Sequence, residues 1–131
     1  LFELGGEIWI FTTQQDEEVL SYFKLHHKNV SIFTSVTSKR IEIKDVLLKL
    51  AKMEINEVHT ECGSTLAGAL IQQQLVDELV LYMAPDLMGK QAQGLFDLGE
   101  ISIMSDKIQL SIADVRMIGR DIKIVAKPCQ P

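Results

Sequence analysis

The stretch Val58-His59-Thr60-Glu61-Cys62-Gly63-Ser64-Thr65-Leu66-Ala67-Gly68-Ala69-Leu70 gathers residue types suited to holding an anion. Gly63 permits a tight turn and close backbone approach, and a helix-forming run opens at Ser64 or Thr65. The first amides of a helix have no internal partner, so a helix start is a ready phosphate site. Ser64 and Thr65 add hydroxyl donors, and Gly68 leaves no side chain between the helix and a neighbouring strand or ligand. The same Gly-Ser-Thr is also how any helix is capped, a hydroxyl accepting from the N2 or N3 amide. Both readings stay open. Neither G-x-G-x-x-G nor G-x-x-x-x-G-K-[ST] occurs, so no standard nucleotide fingerprint applies.

Glu61 is the sharper feature. A carboxylate closing an interior strand is costly to desolvate without a donor. It could accept hydrogen bonds from a ligand's hydroxyl or amino groups, or answer a basic residue or backbone amide, and residue type does not choose between them. His59, in the same expected strand, reads as a satisfied structural histidine, and Cys62 as a small residue at a tight place. His26 and His27 close a helix, where imidazoles suit the dipole. The five methionines are scattered as core filler. No Cys, His and carboxylate spacing suggests zinc, so no metal is expected.

Alternating strands and helices must position these groups. Glu7–Thr12 is a near-continuous apolar run, the habit of a strand covered on both faces. Gln15–His27 follows as a helix with Val19, Leu20 and Phe23 on one face and Asp16, Glu17 and Glu18 in its first turn. Val30–Thr34 is a second strand, Ile41–Ile43 a short extended piece, and Asp45–Met53 a helix burying Val46, Leu47, Leu50 and Ala51. Glu57–Glu61 is expected as a strand from its place between helices, and Ser64–Gln74 as the third helix. Leu79–Ala84 is the most hydrophobic strand, ended by Pro85. The segment 86–100, with Gly89, Gly94 and Gly99 and no clear period, reads as a long ordered loop. Ile108, Leu110 and Ile112, then Ile122, Ile124 and Ala126, alternate around Gly119-Arg120-Asp121 as an antiparallel hairpin. The class is α/β: a mixed, mostly parallel sheet flanked by helices, with a C-terminal antiparallel hairpin.

The totals fit one domain over residues 1–131. The apolar fraction is 47 %, the charged fraction 24 % and the formal charge −5. No Lys/Arg cluster exceeds the pair Lys39-Arg40, so no nucleic-acid footprint is visible. The apolar runs are far short of the ~20 residues of a membrane span. Two cysteines, Cys62 and Cys129, do not make a disulfide scaffold. Asn29-Val30-Ser31 matches the glycosylation pattern, but no signal peptide accompanies it, and the cytoplasm is the expected compartment.

The run EVHTECGSTLAGALIQQQLVDELVLYMAPDLMG, Glu57 to Gly89, resembles the reductase domain of the bacterial riboflavin-biosynthesis RibD family. The likeness rests on Glu61-Cys62-Gly63, Leu66-Ala67-Gly68, Leu75-Val76-Asp77-Glu78, Ala84-Pro85 and Gly89, with the later Gly119-Arg120-Asp121 turn. It implies a dihydrofolate-reductase-like fold. It implies NADPH-dependent reduction of the ribosyl group of 5-amino-6-(5-phosphoribosylamino)uracil to its ribityl form. By position, Gly63, Ser64, Thr65, Leu66, Ala67, Gly68 and Ala69 would border the NADPH phosphates, and Glu61 would contact the phosphorylated pyrimidine near its ribose. Thr12 and Thr13 would approach the adenosine side. No residue is expected to act as a covalent catalyst, because hydride transfer needs orientation more than a nucleophile. Cys62 stands where a second glycine is common in that family.

The family's opening strand with its Lys and Ser-Leu-Asp-Gly run, its Trp-containing turn and its substrate-phosphate arginines have no match here. Neither does the zinc deaminase domain usual upstream. The resemblance therefore implies half a site, with the N-terminal part of the fold missing and the chain inactive alone. The alternatives are another NADPH-dependent reductase of the same fold, or a non-catalytic module in which exposed sheet edges pair two copies as a homodimer.

Overall fold

The computed structural model describes residues 5–35 and 40–129. Contacts divide the chain into two compact units, Leu1–Val58 and His59–Pro131.

In the first unit, β1 (Ile8–Thr12) and β2 (Val30–Thr34) pair in parallel, with α1 (Glu17–His26) between them in sequence. The register sets Phe11 opposite Phe33, and their rings stack at 5.0 Å. Asp16 caps α1, its Oδ1 accepting from the amides of Glu18 at 3.0 Å and Val19 at 3.3 Å. Leu20 and Phe23 are half-buried as expected, while Val19 stays exposed. The Asn29 side chain donates to the Gly6 carbonyl at 2.8 Å.

α2 (Ile43–Lys52) starts two residues before Asp45, so Ile43 is helical and the extended piece expected at Ile41–Ile43 does not form. Val46, Leu47 and Leu50 lie on its half-buried side, but Ala51 is exposed. Lys49 places its ammonium 5.1 Å from the centre of the Phe33 ring.

In the second unit, α3 (Ser64–Gln72) precedes β3 (Leu79–Met83), and a short 3-10 turn at Met104–Asp106 precedes β4 (Leu110–Ile118) and β5 (Asp121–Pro128). The sheet order is β3-β5-β4, antiparallel throughout, so the last strand in sequence lies in the middle. Gly119, at φ +60°, opens the two-residue turn between Ile118 and Asp121, a conformation glycine adopts without strain. Arg120 on that turn pairs with Asp86 at 3.1 Å. The buried apolar residues of this unit are Leu70 and Ile71 of α3 and Ala126 of β5.

The helices α2 and α3 end in the same way. At α3 the Gln74 amide donates to the Ile71 carbonyl and the Leu75 amide to Leu70; at α2 the Glu54 amide donates to Ala51 and the Ile55 amide to Leu50. These are Schellman endings, and Glu54 and Gln74 take the left-handed position at φ 63° and 56°.

The α/β class holds, with parallel and antiparallel pairing both present. Among the described residues the balance is toward antiparallel pairing, because Glu57–Glu61 joins no ladder and the expected strand there is absent. That segment has one strongly apolar side chain, Val58, which is itself 44 % exposed, so no buried face holds it against a sheet. Loop character from Asp86 to Glu100 is as expected.

Candidate functional site

Gly63 stands at the N-cap of α3 with an extended backbone, φ −73° and ψ 168°, and no side chain caps the helix. The first helical bond runs from the Ala67 amide to the Gly63 carbonyl at 3.0 Å. The amides of Ser64, Thr65 and Leu66 therefore precede the internal ladder, while those of Ala67, Gly68 and Ala69 lie within it. Gly63, Thr65 and Leu66 are exposed. Of the two readings left open by the sequence, the self-capped one does not hold: neither Ser64 nor Thr65 turns its hydroxyl onto the helix's own amides.

The Ser64 hydroxyl instead accepts from the Gln93 side-chain amide at 3.1 Å. The Ser64 carbonyl accepts from the Asp97 amide at 3.0 Å, and the Gln72 side chain donates to the Leu98 carbonyl at 2.8 Å. The loop 89–99 is thus laid along α3. Gly68 is buried against it: a Cβ there would meet the Asp97 carbonyl oxygen and lie 2.7 Å from its carbonyl carbon. The space that Gly68 leaves free is filled by the main chain of Asp97.

Glu61 also departs from expectation. Its side chain is 89 % exposed and lies 3.6 Å from His59 Nε2 in a segment outside any strand. The burial cost expected of an interior carboxylate does not arise, and the group is free to meet a ligand with little desolvation. His59 is an exposed partner rather than a core histidine, and Cys62 is exposed rather than confined. In the first unit, the Thr12 hydroxyl accepts from the Gln14 amide at 3.0 Å as β1 ends. His26 holds its place as a helix-end residue, with Nδ1 2.8 Å from the Tyr22 carbonyl and its ring stacked on Tyr22 at 4.1 Å.

Gln93, Asp97 and Gln72 were not singled out by sequence; the one signal for them was a glycine inside a helix, where it costs about 1 kcal/mol against alanine and so calls for a packing reason. A hollow of about 340 Å³ lies at the opposite end of α3, lined by Ile71, Gln72, Val76, Ile108, Pro128 and Cys129. It is remote from the uncapped helix start and holds no ion pair to orient a ligand. Among the described residues no group of three His, Cys, Asp or Glu is placed to hold a metal, and no helix is long and apolar enough to cross a membrane.

The parallel pair, the helices and the antiparallel sheet define an α/β fold, and comparison with solved structures agrees. Acinetobacter baumannii RibD (form 2) superposes with a TM-score of 0.76 at 24 % identity over 92 % of this chain and 31 % of that one. A deaminase/reductase from Thermotoga maritima gives 0.74 at 20 % identity over 98 % of this chain and 32 % of that one. The profile of the RibD C-terminal domain matches residues 1–124, across both units, and the chain belongs to that family.

Among its relatives is the 5-amino-6-(5-phosphoribosylamino)uracil reductase of Buchnera aphidicola subsp. Acyrthosiphon pisum, 35 % identical over 129 residues, 98 % of this chain and 59 % of the relative. The riboflavin biosynthesis protein RibD of Escherichia coli K12 is 34 % identical over 122 residues, 89 % of this chain and 30 % of the relative. The chain therefore spans about three-fifths of the first relative's length and under a third of the second's.

Proposed function

We propose that this chain is reductase machinery of riboflavin biosynthesis, binding NADPH for reduction of the ribosyl group of 5-amino-6-(5-phosphoribosylamino)uracil to the ribityl form. Family membership and the names of the relatives support the reaction class. The observation that carries the cofactor reading is the start of α3: three leading amides, no side-chain cap, and an extended glycine before them. These donors suit a diphosphate, which gains both direct hydrogen bonds and the positive end of the helix dipole.

When bound, the nicotinamide supplies the hydride. The chain's own residues do the holding and orienting. Gly63 gives the backbone close approach, the amides of Ser64, Thr65 and Leu66 donate to phosphate oxygens, and the Thr65 hydroxyl adds a donor. Ala67, Gly68 and Ala69 serve behind them by fixing the helix against the 89–99 loop. Glu61, two residues before Gly63 and exposed, accepts hydrogen bonds from substrate hydroxyls near the ribose, with His59 orienting its carboxylate. The two units act as one reductase domain, in the cytoplasm and as a homodimer, on a phosphorylated pyrimidine rather than a nucleic acid or a membrane.

Thr65→Glu tests the cofactor site. A carboxylate in the first turn favours the helix by about 0.3–1 kcal/mol, so the fold is not weakened. The same charge repels a diphosphate. Calorimetric titration with NADPH is expected to show binding by the unaltered chain and at least about tenfold weaker binding by the variant, or about 1.4 kcal/mol. Equal affinity would remove the helix start from the site.

A further inference from the structure

Ser64, the first residue of α3, is held by the loop 89–99 at both its main chain and its side chain. A turn closed by the Ala92 amide on the Gly89 carbonyl, at 2.9 Å, brings the chain back toward the helix at Gln93. The Gln93 side-chain amide donates to the Ser64 hydroxyl at 3.1 Å, and the Asp97 amide donates to the Ser64 carbonyl at 3.0 Å. Thr65 and Leu66, the next residues of the helix, are exposed.

The direction of the Gln93 bond decides what the hydroxyl can do. A serine hydroxyl has one hydrogen to give and two lone pairs to accept with. Here a lone pair is spent on Gln93, and the hydrogen goes to no protein acceptor among the described residues. Side chains on a helix tilt toward its N-terminus, so the Ser64 hydroxyl leans to the open end, beside the leading amides. A hydroxyl that already accepts one bond is polarised into a better donor for the next. Left alone, it would rotate among staggered positions, and its ordering would have to be supplied on binding.

We propose that Gln93 is a positioning residue of the cofactor site, fixing the Ser64 hydroxyl as a further donor to the diphosphate of NADPH without touching the cofactor itself. This rests on the NADPH reading above. Ser64 then contributes twice, through its amide and through its hydroxyl. The Asp97 bond fixes where the main chain of Ser64 lies, and the Gln93 bond fixes which way its hydroxyl turns. The loop 89–99 is thereby part of the binding apparatus and not a brace alone. Because the Gln93 side chain is neutral, it orients the donor without placing a charge beside the anion.

Calorimetric titration with NADPH of the chain, of Ser64→Ala, Gln93→Leu and Gln93→Glu, and of the double variant Ser64→Ala with Gln93→Leu tests this. Ser64→Ala is expected to weaken binding about tenfold, the loss of a hydrogen bond to a charged group. Gln93→Leu keeps the bulk of the side chain but removes its donor, and is expected to weaken binding about threefold through lost preorganisation. Gln93→Glu is expected to weaken it at least about tenfold, because its carboxylate takes the hydroxyl hydrogen and repels the diphosphate. On the Ser64→Ala background, Gln93→Leu is expected to change nothing, whereas an independent effect would carry over in full.

A Gln93→Leu variant that binds as tightly as the unaltered chain, or tighter, would overturn the proposal. So would a loss that persists without the Ser64 hydroxyl, which would mark Gln93 as bracing the loop only. A chain that binds no NADPH, or whose binding survives Thr65→Glu, would overturn the cofactor site and this inference together. Binding that Thr65→Glu weakens and Gln93→Leu does not would overturn the role of Gln93 alone.

Discussion

Gly68 of α3 lies against the main chain of Asp97 so closely that no side chain fits between them. The Asp97 amide also donates to the Ser64 carbonyl at 3.0 Å, one helical turn nearer the uncapped end. The loop 89–99 thereby holds the helix at two successive turns, just behind the amides assigned to the cofactor. The glycine's use is close approach of backbone to backbone.

Gly68→Ala should therefore destabilise the protein despite alanine's better helix propensity. The propensity gain is about 1 kcal/mol, and forcing a methyl into filled space costs about 1–3 kcal/mol with only main chain available to yield. A net loss of about 1 kcal/mol, lowering Tm by about 3–5 °C, is expected in a thermal melt. A variant as stable as the original would show that the loop moves aside freely.

Glu54 and Gln74 occupy left-handed positions that glycine fills without steric cost. Glu54→Gly and Gln74→Gly should each raise stability by about 0.5–1 kcal/mol, the relief of the Cβ clash exceeding the added freedom of the unfolded chain. Urea unfolding midpoints measure this. A fall in either midpoint would mean that the side chain lost there contributes more than the strain removed.

Gly119→Val should cost about 1–2 kcal/mol, since a β-branched residue resists φ +60° in a tight hairpin. Arg120→Ala, beside it, should change stability by less than about 0.5 kcal/mol, because its bond to Asp86 is an exposed pair. The contrast between the two variants in one urea series is the check; a large effect of Arg120→Ala would mark the pair as structural.

Glu61→Ala should leave the unfolding free energy within about 0.5 kcal/mol, since the carboxylate is almost fully exposed. NADPH affinity should stay unchanged while binding of the phosphorylated pyrimidine weakens about tenfold, the loss of a charged hydrogen-bond acceptor. Calorimetry with each ligand separates the two. An unaltered pyrimidine affinity would end the assignment of Glu61 to the substrate side.

Much of this architecture was legible in the residues. Val30–Thr34 begins and ends where its apolar run does, and the hairpin turns at Gly119-Arg120 where alternation breaks. These elements carry their own periodicity and punctuation. Glu57–Glu61 lies between helices, where a strand is expected, but its polar composition gives it no apolar face to pack, and it stays outside the sheet with Glu61 exposed. The contact between Asp97 and Gly68 was hidden for another reason: an aperiodic loop declares nothing about where it lands, and the receiving glycine announces only that something approaches. The helix endings were hidden because glutamate and glutamine stand where the usual stop signal is glycine.

The strand order β3-β5-β4 has a consequence for how the second unit comes into being. β3 and β4 each bond to β5 and not to each other, so neither has a sheet to join while β5 is unmade. During synthesis both must wait, unpaired, until Pro128 has left the ribosome. Assembly of this sheet is then a single late event, and a chain cut short before β5 would lack this sheet altogether.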